Sequence, residues 1–409
     1  MFQLINLGRA SEDEKDGYHP YTQPSLGLLF VKNKNDLLLL PDAKPIKRMK
    51  SFFEQTLWGG NTLNVLFIDR QHYSFDKALN TDINLFREMK ERLHFFTRPN
   101  KSIQLTTYVS TSSTKRWLER LPFQWIHNID NPIFQKKYTA KSIFHRSIVD
   151  TETPALIEEL ATLRTPRGYT ARSHEEIVAA CERLSDEGVN EILAKPSTQS
   201  SGIGIREIST VDDIDNLAKD EYVIEEKLHL DKDRYGETAN AGIAFRNNQR
   251  YGVWRQLLKG DKYVGALYPF DGNSTLTADI LRQTEVFKNF MFTKGMRKDG
   301  GIDFLISQKK AFLIDNNLGR MTGTHAPLFF QKLYLPEMAF AYFEVDGLDD
   351  DIFNIWEQLQ SKGLALDLVR KTGVYPVCHL PSVSAEMMAF APTASEAFHL
   401  MEKTQELLS

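Results

Sequence analysis

The chain has 409 residues, 42% of them apolar and 25% charged, with a formal net charge of −4. That length exceeds one small core and calls for two or three packed domains, and the charge gives no general reason to expect nucleic acid. No apolar run nears the ~18 residues that span a bilayer, the two cysteines, Cys181 and Cys378, make no disulfide framework, and MFQLINLGRASEDEKDG turns acidic too early for a secretory signal, so a cytoplasmic enzyme is expected.

In chain order, the apolar runs SLGLLFV, DLLLLP and TLNVLFID are followed by helix-like DINLFREMKERLHFF and strand-like IQLTTYVS. Such alternation marks an open α/β domain. RWLERLPFQWIHNIDNP gathers aromatics and leucines around Pro122 and turns at Asn131–Pro132, which puts a boundary near there. Lys137 to Phe144 reads as a helix, followed by strand and loop at TETP. Ser173 with Glu176 forms a capping box ahead of IVAACERL, a helix that stops by Gly188. EILAKPS is a strand, SSGIGI a glycine-bearing loop, Thr210 to Asp213 the start of a short helix, and YVIEEKL a strand. Near the C-terminus, DIFNIWEQLQSKGLALDLV is helical, GVYPVCHL strand-like and SEAFHLMEKTQELL helical.

The most informative stretch is GGIDFLISQKKAFLIDNNLGRMTG, residues 300–323. FLI and AFLI read as short buried strands joined by the polar turn SQKK. Pairing about Lys309 puts Asp303 opposite Asp315, with Asn317 two residues on and on the same face. Three oxygen-bearing side chains on an otherwise apolar patch resist desolvation, and a hard cation is the natural occupant. Arg320 follows and can present a fork of donors to phosphate or carboxylate. Lys195 precedes the small residues Ser200, Ser201, Gly202, Ile203 and Gly204, whose backbone N–H groups can approach phosphate oxygens closely. Taken singly, Lys195 also reads as an exposed lysine beside a flexible turn. Glu225 equally reads as a solvated strand end, and Arg255 and Lys259 on VWRQLLKG as a solvated face.

Taken in order, KKYTAKSIF, TP, ILAKPSTQSSGIGI, VIEEKL, GIDFLI and LIDNNLGRMTG resemble the ATP-grasp superfamily of carboxylate–amine ligases. The DNNLGRMTGT run and the GVYP and SEAF tail look like its peptide-ligase branch, typified by the pheganomycin ligase. The resemblance implies a mixed α/β and α+β chain with an N-terminal open α/β domain over 1–130, a central lid subdomain over 131–227, and a C-terminal subdomain over 228–409 that carries the metal site. It implies ATP and two Mg²⁺, with Mn²⁺ able to substitute, small-molecule carboxylate and amine substrates (amino acids or short peptides), no nucleic acid or membrane partner, and a homodimer. Carried over, Lys141 and Lys195 bind phosphates, with Lys137 an alternative to Lys141. Ser197 to Gly204 forms the lid loop, Glu225 meets the adenine amine, and Glu226, Lys227 and Leu228 line the hinge. Asp233 contacts the ribose, for which Asp231 and Glu237 compete. Asp303, Asp315 and Asn317 hold the metal, while Arg320, Lys195 and Arg255 stabilise the transferring phosphoryl group.

Several residues depart from the pattern. Asp315 stands where many relatives carry Glu, and Arg320 sits one residue further from Asn317 than in Asn-x-Arg. Gly301 replaces the substrate-gripping arginine of D-alanine ligases, and no biotin-attachment segment appears, which argues against a biotin-dependent carboxylase. His325 has two readings, a base for the incoming amine or a structural hydrogen bond. A small-molecule kinase and a catalytically silent nucleotide-binding regulator are the alternatives to a ligase.

Overall fold

The computed structural model describes residues 2–6, 26–33, 35–69, 75–96, 102–107, 112–126, 160, 162–196, 204–215, 217, 221–232, 240–246, 249–259, 262–293, 300–316, 325–380 and 384–409. The first sheet is parallel. It comprises β1 (Phe2–Asn6), β2 (Leu37–Pro41), β3 (Val65–Ile68), β4 (Ser102–Thr107) and β5 (Gln124–Ile126) in the order β3-β2-β1-β4-β5. β2 is apolar throughout because both of its faces are covered. Leu38 and Leu40 enter one core and Leu37 and Leu39 the other. The run SLGLLFV is no strand, since Gly27–Phe30 forms a buried 3-10 turn whose Phe30 stacks on Phe329 at 4.9 Å. A short, wholly buried apolar run has no periodicity to separate the two conformations.

The second sheet holds β6 (Gly168–Ala171), β7 (Ile192–Pro196), β8 (Arg206–Ile208) and β9 (Tyr222–Glu226), antiparallel in the order β6-β9-β7-β8. The helix His174–Asp186 packs on it and starts at Ser173, whose Oγ accepts the Glu176 N–H at 3.2 Å. The return half of the expected capping box is displaced by one residue, for the Glu176 carboxylate accepts from Arg172 N–H at 2.7 Å. The reciprocal box forms instead at Thr393 and Glu396.

The third sheet has eight strands: β10 (Asn240–Arg246), β11 (Gln249–Lys259), β12 (Lys262–Tyr268), β13 (Gly300–Ser307), β14 (Lys310–Asn316), β15 (Ala339–Asp346), β16 (Gly373–Leu380) and β17 (Ser384–Ala391). Their order is β14-β13-β10-β11-β12-β15-β17-β16. β17 does not stand out in the sequence because SAEMMAFA, buried at every position, shows no alternation. The helix Ile352–Ser361 is shorter than its sequence suggests, since Gly363 turns the chain at φ +66° just beyond it.

One face of this sheet is covered by the helices Ser274–Thr293 and Ala394–Leu408. The other face shares a core with the N-terminal domain. From the helix Lys44–Thr56, the rings of Phe52 and Phe53 lie 5.4 and 5.5 Å from Tyr375, and Arg48 forks onto Asp351 at 2.8 and 2.9 Å. The small central sheet is built differently, because among the described residues its buried core lies between Ala171 and Ile224, with Tyr169 packed against it. Leu160 packs in the core of the large sheet, and Arg164 accepts through its carbonyl from Leu313 N–H at 2.7 Å. The incoming linker therefore runs along the edge of β14 before the central sheet begins. Among the described residues, no helix is long and apolar enough to cross a membrane.

Candidate functional site

The hairpin β13–β14 turns through Gln308 and Lys309 and pairs Ser307 with Lys310 and Phe304 with Leu313. An unbroken register would carry Asp315 opposite Ile302, on the helix-covered side. A bulge between Asp303 and Phe304 shifts the pairing by one residue, so Asp303 faces Asp315. The expected juxtaposition is present, although the hairpin does not pair about Lys309 as the sequence suggested. Phe304 and Leu313 point into the core beneath the helix Ser274–Thr293, which turns Asp303 to the opposite face. There Asp303 Oδ1 accepts from Gln256 Nε2 at 2.9 Å. Its neighbour on β10 is Gly242, where a Cβ would lie 2.5 Å from the Trp254 ring. Among the described residues no group of three or more His, Cys, Asp or Glu gathers. A cation here would take two carboxylates and complete its shell with other oxygens, which suits a hard divalent ion.

A second charged pair lies in the central sheet. Lys195 on β7 and Glu225 on β9 are diagonal cross-strand neighbours, and their side chains form an ion pair. Both are buried, at 7% and 3% exposure, which excludes the exposed-lysine and solvated-strand-end readings. Gly168 on β6 makes room for this pair. A Cβ there would meet Glu225 Cβ at 2.8 Å and the Ile224 carbonyl at 2.9 Å.

Around Glu225 the structure sorts the hinge residues. The Glu226 carboxylate accepts from Arg167 N–H and Nε at 2.9 Å each, so its side chain is committed outward. Lys227 Nζ reaches Glu207 at 2.9 Å and Glu191 at 3.1 Å, contacts that raise its pKa. The N–H groups of these two residues are committed as well, to the Arg167 and Glu191 carbonyls at 2.9 and 2.8 Å, with Leu228 next in the chain. Gly204, at the end of the lid loop, sits at φ +76° close to Pro196.

Arg255 is the principal correction. Expected to act on phosphates, it is instead 1% exposed, on the helix-covered face of β11, 3.8 Å from Asp271 and beneath the Phe398 ring. Alternation along β11 assigns the open face to Gln256 instead; the sequence signal, a charged residue, favoured the wrong neighbour. Asp231 is also removed from the ribose candidates, because its two oxygens accept from Gln308 and Lys309 N–H at 2.9 and 2.6 Å. His325 is fully buried, with Nε2 2.7 Å from the Gly300 carbonyl. A carbonyl only accepts, so Nε2 carries the proton and this nitrogen is no base. Lys137, Lys141, Ser200, Ser201, Gly202, Ile203, Asp233, Glu237, Asn317 and Arg320 lie outside the described residues, as do the expected helix 137–144 and the boundary near 131.

The architecture has solved counterparts. The chain has the ATP-grasp fold, a mixed α/β arrangement shared end to end with known structures. The N5-carboxyaminoimidazole ribonucleotide synthetase of Thermus thermophilus is similar at 11% identity and TM-score 0.57, over 100% of this chain and 99% of that one. The Staphylococcus aureus N5-carboxyaminoimidazole synthetase complexed with ADP gives 10% identity and TM-score 0.58, over 100% and 98%. The biotin carboxylase of Campylobacter jejuni, solved as a β,γ-ATP complex, gives 11% and 0.58 over 100% and 91%. No protein-family model matches the chain, and no curated protein matches it in sequence.

Proposed function

We propose that this protein is an ATP-dependent ligase that joins a carboxylate to an amine through an acyl phosphate, with amino acids or short peptides as substrates. The observation that carries the reading is the bulged hairpin, which sets Asp303 against Asp315 on one sheet face within an ATP-grasp fold. Two opposed carboxylates suit a hard divalent cation such as Mg²⁺. When bound, Mg²⁺ withdraws charge from the transferring phosphoryl group. Asp303 and Asp315 would hold it, with Gln256 fixing the Asp303 carboxylate, and Asn317 would complete the set. Lys195 donates to the phosphates and Glu225 accepts from the adenine amine, so one buried ion pair links the two ends of the nucleotide. Lys141 and the Ser197–Gly204 loop add phosphate donors, Asp233 takes the ribose, and Arg320 steadies the acyl phosphate.

The substrate carboxylate attacks the γ-phosphorus, forming an acyl phosphate and ADP. The amine then attacks the acyl carbon, loses a proton and expels phosphate to leave an amide. The side chains position groups and stabilise charge, so no protein nucleophile is needed. Closure of the central sheet over the site would exclude the water that hydrolyses acyl phosphates. The branch assignment rests on the DNNLGRMTGT run and the C-terminal tail. Mass spectrometry of products from a pool of amino acids and short peptides with ATP and Mg²⁺ tests it. Amide together with ADP supports a ligase, whereas a stable phosphorylated product would replace it with a kinase.

One observation favours a second reading of the acid. The similar structures named above are called carboxyaminoimidazole synthetases or a carboxylase, and a further similar one, the biotin carboxylase domain of the Hydrogenobacter thermophilus 2-oxoglutarate carboxylase, is solved with bicarbonate. Bicarbonate carries the same reacting carboxylate group, and would give an N-carboxylate. Labelled bicarbonate incorporated into an amine in place of an amino-acid or peptide acyl group would select it.

A further inference from the structure

The turn that closes the carboxylate hairpin places two non-glycine residues at positive φ, Gln308 at 50° and Lys309 at 59°. Two-residue turns of this kind ordinarily use Asn-Gly, because side chains are strained there. Here the strain is offset from outside the hairpin. Asp231 accepts from both turn N–H groups, at 2.9 and 2.6 Å, and its own N–H donates to the Ile306 carbonyl at 2.9 Å. Ser307 Oγ donates to the His229 carbonyl at 2.7 Å. Four hydrogen bonds thus fasten residues 229–231 to residues 306–309.

Those residues form the outgoing linker from the central sheet, directly after Glu225, Glu226, Lys227 and Leu228. The hairpin arm between the clamp and Asp303 is paired with β14 throughout and with β10 from Leu305 inward, with the bulge beside Asp303. A distance set at the clamp is therefore carried to the carboxylates through paired strand. We infer that Asp231 is a positioning residue that holds the segment 225–228, which faces the base, in register with the Asp303–Asp315 pair, which faces the phosphates; this rests on the nucleotide reading above.

The alternative is that Asp231 only stabilises the turn, and two sets of variants separate these roles. Gln308→Asn with Lys309→Gly makes the turn self-sufficient and should bind Mg²⁺–ADP in calorimetry as the wild type does. Adding Asp231→Ala to that pair should leave the melting temperature near that of the pair, yet weaken Mg²⁺–ADP binding about tenfold or more. Asp231→Asn in the otherwise wild-type chain keeps one acceptor oxygen and should give an intermediate loss. Unchanged affinity in the stable triple variant would overturn the positioning role while leaving the nucleotide site intact. A wild-type protein that binds no Mg²⁺–ADP would instead remove the nucleotide reading itself, and the inference with it.

Discussion

The eight-stranded sheet carries two cross-strand carboxylate pairs on the same face, Asp303 with Asp315 and Glu344 with Glu386. Each sets like charges directly opposite, which is unfavourable on adjacent strands. At the β15–β17 end the N-terminal domain closes over the face, and Glu386, 8% exposed, meets the Tyr342 hydroxyl. Burial, reinforced by Glu344, pushes its pKa up to about 8, so a proton resolves the repulsion there. At the β13–β14 end both aspartates keep partial exposure, and Asp303 accepts from Gln256. A cation can resolve the repulsion at this end. On the proposed function, the difference in cover separates a structural carboxyl from one open to a ligand.

The largest test breaks the Asp303–Asp315 pair. Asp315→Ala should abolish Mg²⁺-dependent ADP release, a loss on the order of a thousandfold, with circular dichroism unchanged; full turnover would sink the site. Next, Lys195→Met should cost about 3–5 kcal/mol in urea unfolding, because the buried Glu225 carboxylate loses its opposite charge. Lys195→Met with Glu225→Leu should regain most of that stability without regaining nucleotide binding. Arg255→Ala should destabilise by about 3 kcal/mol through its buried contact with Asp271, while kcat of the folded fraction stays unchanged. A kcat loss without a stability loss would return Arg255 to the active site.

The smallest effect sharpens the comparison from the Glu344–Glu386 pair. Because the folded-state pKa of Glu386 is raised above its unfolded value, the protonated carboxyl favours the fold fully below about pH 4.5, and that stability is lost as pH rises to about 8. Glu386→Gln should flatten the dependence of melting temperature on pH across this window. An equally steep profile in the variant would assign the slope to other groups.

Much of the site was legible because its chemistry coincides with strand alternation. Asp303 and Asp315 bracket two apolar runs, and Lys195 and Glu225 end two others. Three features were not legible. The bulge between Asp303 and Phe304 leaves no mark in composition, so the right pairing was reached with the wrong centre. Arg255 and Gln256 are adjacent, and only the covering helix decides which faces the site. Asp231 looked like a ligand because the N–H groups it accepts from lie in a turn some 77 residues away. In the fold, wholly buried β17 and the Gly27–Phe30 turn lack the periodicity that identified the exposed helices.

The most direct measurement is calorimetric titration of ADP into the wild type and into Asp303→Asn with Asp315→Asn, each with and without Mn²⁺. Wild-type affinity should rise strongly with Mn²⁺, and the double variant, equally folded, should bind ADP with no response to the metal. Equal metal dependence in both proteins would contradict the assignment of this hairpin as the cation site.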